Sequence, residues 1–115
     1  MAISIPIFTS QLEKAREATD LANIRAAYAE LAADALTGDA VTASTEGNVI
    51  INAADADSET LTATVKLTQT TAGWQSSSLK DSTIGSMAAC NPTAKVTATI
   101  TVTRSTGAAE LTYNN

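Results

Sequence analysis

Residues 96–103 read Val-Thr-Ala-Thr-Ile-Thr-Val-Thr, and residues 60–68 read Thr-Leu-Thr-Ala-Thr-Val-Lys-Leu-Thr. In both segments apolar side chains alternate with polar ones, and most of the polar ones are threonine. Because successive side chains of a strand point to opposite faces, this alternation predicts strands with one buried and one solvent-exposed face. Threonine has a high strand propensity, so the two segments predict a sheet whose wet face is mostly threonine.

Two more segments extend the predicted sheet on either side. Residues 109–113 alternate in the same way, and the Ser-Thr-Gly sequence at 105–107 predicts a tight turn before them. Residues 48–53 form a short apolar run, followed by the polar turn Asp-Ala-Asp-Ser at 55–58. The sequence therefore predicts an antiparallel sheet of about four strands.

The segment ahead of the sheet predicts one long helix, from Pro6 to about residue 37. It is rich in good helix formers, and proline is tolerated in a first helical turn. Gly38 follows as the expected left-handed cap. Apolar positions recur at spacings of three and four along Leu21, Ile24, Tyr28, Leu31 and Ala35. A neighbouring row adds width with Leu12, Ala15, Thr19, Ala22, Ala26, Ala29, Ala33 and Leu36.

Together the two rows predict a broad apolar helix face that packs on the core. Residues 11–20 are densely charged, so the N-terminal half of the helix is expected to be solvated or to protrude. Its charged side chains are expected to pair only at the surface, where such pairs contribute little.

One helix followed by antiparallel strands is an α+β arrangement. A chain of 115 residues is long enough for a single domain. We expect that domain to span residues 1–115, with the helix at about 6–37 and the sheet and loops at about 47–115. The apolar second half of the helix is the available cover for the apolar face of the sheet.

Composition argues against several classes of function. The net charge is −5 and the cations are scattered, whereas nucleic-acid binding needs a clustered positive surface. The chain has no histidine, the usual general base and metal ligand, and its five glycines form no phosphate-binding loop. We expect neither an enzyme nor a cofactor-binding protein, and no nucleic-acid partner.

A short acidic cluster is the weak candidate for a metal site. Asp55, Asp57 and Glu59 lie at alternate positions of a predicted turn, an arrangement that can offer oxygen ligands to calcium. The cluster lacks the glycine and the distant bidentate glutamate of a full calcium loop. A solvated turn is the preferred interpretation, and no metal is predicted.

The polar region between residues 69 and 93 reads as a long loop that carries two notable side chains. Trp74, the sole tryptophan, fits the edge of a small core better than an exposed binding position. Cys90, the sole cysteine, cannot form an internal disulfide and is expected to be buried as a small apolar residue.

The chain opens on an apolar run, Met-Ala-Ile-Ser-Ile-Pro-Ile-Phe at 1–8, and contains no apolar stretch of membrane-spanning length. We interpret the run as the C-terminal end of a longer hydrophobic segment.

Residues 3–30, which read ISIPIFTSQLEKAREATDLANIRAAYAE, resemble type IV pilins, and more narrowly those of clostridial Gram-positive bacteria. In that family an apolar membrane segment ends at a proline and continues into an amphipathic helix of Leu-Glu-Lys-Ala-Arg character. The resemblance covers about a quarter of the chain. The family's cleavage site, initial phenylalanine and early glutamate have no counterpart in this sequence, and Cys90 has no partner for a C-terminal disulfide loop.

The resemblance implies a pilin-like fold and a structural role. The subunit would be processed by a prepilin peptidase and held in the membrane only through a helical segment ahead of residue 1. It would then pack with copies of itself into a helical filament on the extracellular bacterial surface, aided by the pilus assembly machinery. Ile5, Pro6, Phe8 and Leu12 are the candidate assembly contacts.

Two alternatives stay open from the sequence. The same fold would serve a pseudopilin of a type II secretion or DNA-uptake system. A different class, a surface ligand-binding or adhesive module, would use the loop at about 73–91 to meet its target.

Overall fold

The protein is described by a computed structural model, which places residues 5–70, 83–87 and 97–114, with side chains described from residue 11 onward. The elements, in chain order, are α1 (Ile5–Thr37), β1 (Ser44–Glu46), β2 (Val49–Ile51), β3 (Thr60–Lys66), β4 (Thr97–Thr103) and β5 (Ala109–Asn114). The α+β class is confirmed, with one N-terminal helix packed on an antiparallel sheet. The sheet has five strands, not about four.

The additional strand is β1, a three-residue edge strand whose side chains are all exposed. It pairs with β2 through a turn at Gly47, whose φ of 59° is the left-handed conformation that glycine adopts without strain. Because β1 buries no side chain, no apolar alternation marks it in the sequence. Backbone pairing with β2 alone forms this strand.

The five strands follow the chain, in the order β1-β2-β3-β4-β5, and every neighbouring pair is antiparallel. The register between β3 and β4 sets Thr64 opposite Thr99 and Ala63 opposite Ile100. The buried apolar face is thus confirmed, whereas the threonines of the opposite face are mostly half-buried. The apolar face consists of residues at most 1% exposed in β3 and β4, namely Leu61, Ala63, Val65, Ala98, Ile100 and Val102.

The second half of α1 covers this apolar face, as predicted. Leu21, Ile24, Ala27 and Leu31 of the helix are at most 1% exposed and belong to the same core as the strands. The helix ends at Thr37, and Gly38 follows with a φ of 72°, which confirms the left-handed cap. No helix among the described residues has the length and apolar character that crossing a membrane requires.

The second predicted apolar row faces solvent, so the prediction that it widens the buried face is wrong. All eight of its members are exposed: Leu12, Ala15, Thr19, Ala22, Ala26, Ala29, Ala33 and Leu36. We call this set the outer stripe. At about 100° per residue it lies about 160° around the helix from the buried positions. One sheet covers one side of a helix, so this row is left toward solvent.

The prediction for the charged N-terminal half is also wrong. Glu13, Glu17 and Asp20 are only 2%, 0% and 0% exposed, respectively. They lie on the same side of the helix as the apolar core positions. The inner stripe, with spacings of four and three, consists of Glu13, Glu17, Asp20, Ile24, Ala27 and Leu31.

Candidate functional site

The inner stripe is acidic in its first half and apolar in its second half. The acidic half is the candidate site, because its carboxylates are buried. A buried carboxylate is costly unless hydrogen bonds replace its lost water. Here the replacement comes from residues 68–70, the segment that continues beyond β3. We call residues 68–70 the strap.

Asp20 holds the first part of the strap with both of its carboxylate oxygens. Its Oδ1 accepts the main-chain N–H of Thr68 at 2.8 Å and the Thr68 hydroxyl at 2.8 Å. Its Oδ2 accepts the main-chain N–H of Gln69 at 3.0 Å. Because both oxygens receive donors, this position requires a group that only accepts, as an ionised carboxylate does.

Glu13, two helical turns earlier, holds the end of the strap. Its Oε1 accepts the main-chain N–H of Thr70 at 3.0 Å, and its Oε2 accepts the Thr70 hydroxyl at 3.0 Å. The Arg16 guanidinium lies over this contact, with Nη1 3.4 Å from Glu13 Oε2 and 3.1 Å from the Thr70 hydroxyl. The strap therefore runs antiparallel to the helix, from Asp20 toward Glu13.

The carboxylates take the place that a neighbouring strand would take. The strap leaves the sheet after Lys66, and its three N–H groups still find acceptors, as buried main-chain donors must. Hydrogen bonds to ionised acceptors are stronger than those between neutral groups. The result is a polar joint that ties the N-terminal half of α1 to the sheet domain.

The spacing of the acidic residues indicates this joint, although the density of charge in the segment does not. Charge density predicts solvation, whereas the spacing of Glu13, Glu17 and Asp20 continues the inner row of Ile24 and Leu31. Acidic residues that fall in phase with a buried apolar row indicate a buried polar contact. Their partners cannot be read from the sequence, since they lie about fifty residues away.

A second contact attaches the long connection between β3 and β4 to the helix. Ile84 and Met87, each 4% exposed, exchange main-chain hydrogen bonds of 3.0 and 2.9 Å around a tight turn. Gly85 in that turn has a φ of 56°, and the Tyr28 hydroxyl occupies the space that a Cβ would need. Ser86 Oγ accepts the main-chain N–H of Ala109 at 2.8 Å. The turn is thus fixed between α1 and the start of β5.

The candidate assembly contacts lie at the N-terminal end of the helix. Ile5, Pro6 and Phe8 are within α1, but their side chains fall outside the described part. Leu12 is described and is 42% exposed, and Leu36 at the other end of the helix is 89% exposed. These two are the large apolar side chains that the described part of the protein leaves in solvent.

The three acidic side chains of the turn at residues 55–59 do not converge on one point. Glu59 Oε1 accepts both the hydroxyl and the main-chain N–H of Ser105, the latter at 3.0 Å. These bonds from Ser105, the hydroxyl first, hold the pKa of Glu59 below its ordinary value. Within the described ranges no three acidic or cysteine side chains converge as metal ligands, and Asp55, Asp57 and Glu59 are no exception. Glu59 serves instead to fix the β4–β5 turn.

A groove of about 370 Å³ separates the end of α1 from that same turn. Tyr28, Leu36 and Val102 give it apolar walls, with Arg104 at one side. The Arg104 guanidinium is directed at the chain itself, since Nη2 donates to the Asp39 carbonyl at 2.7 Å. Its Nε and Nη1 are buried and have no hydrogen-bond partner among the described residues.

The predictions for Trp74, Cys90 and most of the loop at 73–91 concern residues outside the described part. A scan against protein-family models and searches of curated proteins and solved structures find no match for this chain.

Proposed function

We propose that the chain is a structural subunit of a filament on the bacterial surface, of the type IV pilus kind. In this proposal the long helix joins subunits and the sheet domain is carried outside the helical core. The subunit has no catalytic role and no cofactor. Copies of itself are its main partners, with assembly machinery acting on it before it enters the fibre.

The observation that carries the proposal is the length of the helix relative to the strands that it covers. α1 has 33 residues and is about 50 Å long, whereas a seven-residue strand spans about 23 Å. Among residues 11–37, whose side chains the structure describes, the buried positions of the helix begin at Glu13. The molecule measures 62 × 24 × 21 Å along its principal axes, so the helix gives it an elongated form.

The exposure of Leu12 supports a role in joining subunits. Leu12 is exposed at the point where the helix leaves the strap, and the sequence ahead of it continues with Ile5, Pro6 and Phe8. A helix that leaves apolar residues in water gains stability by burying them against another copy. Assembly contacts at this end would bury them without disturbing the sheet.

The polar joint also supports a role as a filament subunit, because it connects the helix firmly to the sheet domain. A subunit that is held in a fibre by its helix must transmit force from the helix to the sheet domain. The bonds from Asp20 and Glu13 to the strap tie the N-terminal half of α1 to that domain. The joint thereby fixes the direction in which the assembly end leaves the domain.

Immunoelectron microscopy of the source cells, with antibody raised against this domain, tests the proposal. We expect label along thin surface fibres. Cells that carry Leu12→Glu in place of the wild-type subunit should lose the fibres, because the substitution places a charge in the joining contact. Cells with the matched exposed substitution Thr112→Glu on the sheet should keep them.

Label confined to the envelope, with no fibres in the wild type, would contradict the filament. That result would favour a pseudopilin of a secretion or DNA-uptake system, or a surface module that binds a ligand. Fibres that persist unchanged in the Leu12→Glu cells would contradict the assignment of the assembly end.

A further inference from the structure

The outer stripe forms a continuous seam along the solvent side of α1. Its members follow one another at spacings of three and four over the whole stretch from Leu12 to Leu36. This is the spacing of core positions in a heptad repeat, in which two helices wind around each other. In the sequence, Ile5 and Phe8 continue the same spacing toward the N-terminus.

The side chains of the stripe suit close approach of a second helix. Five of the eight are alanines, and small side chains let two helix backbones come near each other. The exposed leucines at the two ends supply most of the large apolar surface. Because the stripe lies about 160° from the inner stripe, the sheet leaves this side of the helix open.

Two charged side chains beside the outer stripe indicate which partner binds there. With Leu12 as the first core position of a heptad, Arg25 falls at position g and Glu30 at position e on the opposite flank. Both are exposed, and neither makes an ion pair or a side-chain hydrogen bond with any residue that the structure describes. Five residues apart, they are poorly placed to pair within one helix.

The two charges match those of a second copy in one orientation. In a parallel, in-register pair, a g residue of one helix faces the e residue that lies five positions later in its partner. Arg25 of each copy would then meet Glu30 of the other, which gives two equivalent ion pairs. An antiparallel pair with Leu12 opposite Leu36 would instead bring the two Arg25 side chains together near the centre.

We propose that the outer stripe is a self-association surface, on which a second copy of this chain binds with its helix parallel and in register. Core positions then face their own equivalents, alanine against alanine and leucine against leucine. The pair shares Leu12 with the filament proposal, but it requires neither the residues ahead of Leu12 nor a fibre, so it is measured on the isolated chain. Either proposal can therefore be wrong while the other is correct.

Disulfide trapping of the full chain tests the arrangement. In a Cys90→Ala background, Ala15→Cys and Ala22→Cys should each form covalent dimers on mild oxidation, because each position faces itself. Thr112→Cys, equally exposed but on the sheet, is the control and should stay largely monomeric. Cross-linking of Ala15→Cys only with Ala33→Cys would reveal an antiparallel pair and overturn the proposal, as would dimer yields no higher than the control.

Charge reversal tests the register by sedimentation of the same protein without cysteines. Arg25→Glu and Glu30→Arg should each weaken the pair about tenfold, because two attractions become two repulsions. The double variant restores both attractions and should return to the wild-type dissociation constant. Circular dichroism confirms that each variant is folded. Single variants that associate as well as the wild type, or a double variant as weak as the singles, would overturn the proposed register.

Discussion

Asp20 Oδ2 accepts the main-chain N–H of Gln69 at 3.0 Å, across forty-nine residues of sequence. Both residues are buried, and the bond joins the middle of the helix to the segment that leaves β3. It belongs to a row of contacts in which side chains of α1 satisfy the backbone of the strap. The apolar core holds the C-terminal half of the helix, and this polar row holds the part ahead of it.

Replacement of Asp20 by asparagine should destabilise the protein by about 2–3 kcal/mol. The asparagine amide keeps one acceptor oxygen but sets an NH₂ donor against either the Thr68 or the Gln69 N–H. Asp57→Asn is the matched control, because Asp57 is exposed and its carboxylate has no hydrogen bond among the described residues. Urea unfolding followed by circular dichroism measures both. Equal stability of the two variants would show that the strap contacts contribute little.

Gly85→Ala should cost more stability than Gly47→Ala, although the two backbones are nearly alike. Gly85 has a φ of 56° and Gly47 a φ of 59°, so both alanines carry the left-handed strain of about 1–2 kcal/mol. Only at Gly85 does the new Cβ meet a side chain, the Tyr28 hydroxyl, which must move out of its place. Thermal unfolding of the two variants compares them directly. A larger loss at Gly47 would contradict this packing of the 84–87 turn.

Leu31→Ala and Leu36→Ala make the same change on one helix with opposite expected results. Leu31 is 0% exposed, so its truncation leaves a cavity and should cost about 2–5 kcal/mol. Leu36 is 89% exposed, and its truncation should change the free energy of unfolding by at most about 0.5 kcal/mol. Chemical denaturation at low protein concentration, where self-association is absent, is the measurement. Similar losses from both would mean that the helix buries a different face.

The hydrogen bonds from Ser105 to Glu59 should make a pH-dependent contribution to stability. They lower the pKa of Glu59 in the folded protein, so the folded state favours the ionised carboxylate. The contribution is fully present above the ordinary glutamate pKa of about 4.3 and is lost as the pH falls through the lower folded value. Glu59→Gln should therefore be less stable than the wild type at pH 6, with the difference shrinking toward pH 3. A difference that stays constant over this range would exclude ionisation of Glu59 as its source.

The alternation of threonine with apolar residues in 60–66 and 97–103 is enough to predict two strands and the face that each buries. The helix between Pro6 and residue 37, and the glycine that ends it, also follow from local sequence. Each of these features depends on neighbouring residues alone: side-chain period, helix propensity and the conformational freedom of Gly38.

The side of the helix that meets the sheet does not follow from the local sequence. Two rows at heptad spacing compete for that place, and the row with Ile24 and Leu31 is buried although its earlier members are Glu13, Glu17 and Asp20. Burial of the Asp20 and Glu13 carboxylates is favourable because the N–H groups of residues 68–70 reach them from the far end of β3. The sequence alone thus determined the helix, the strand faces and the helix cap. The tertiary structure decided the buried face of the helix, the partners of its acids and the edge strand β1, because each depends on contacts between segments that the local sequence does not bring together.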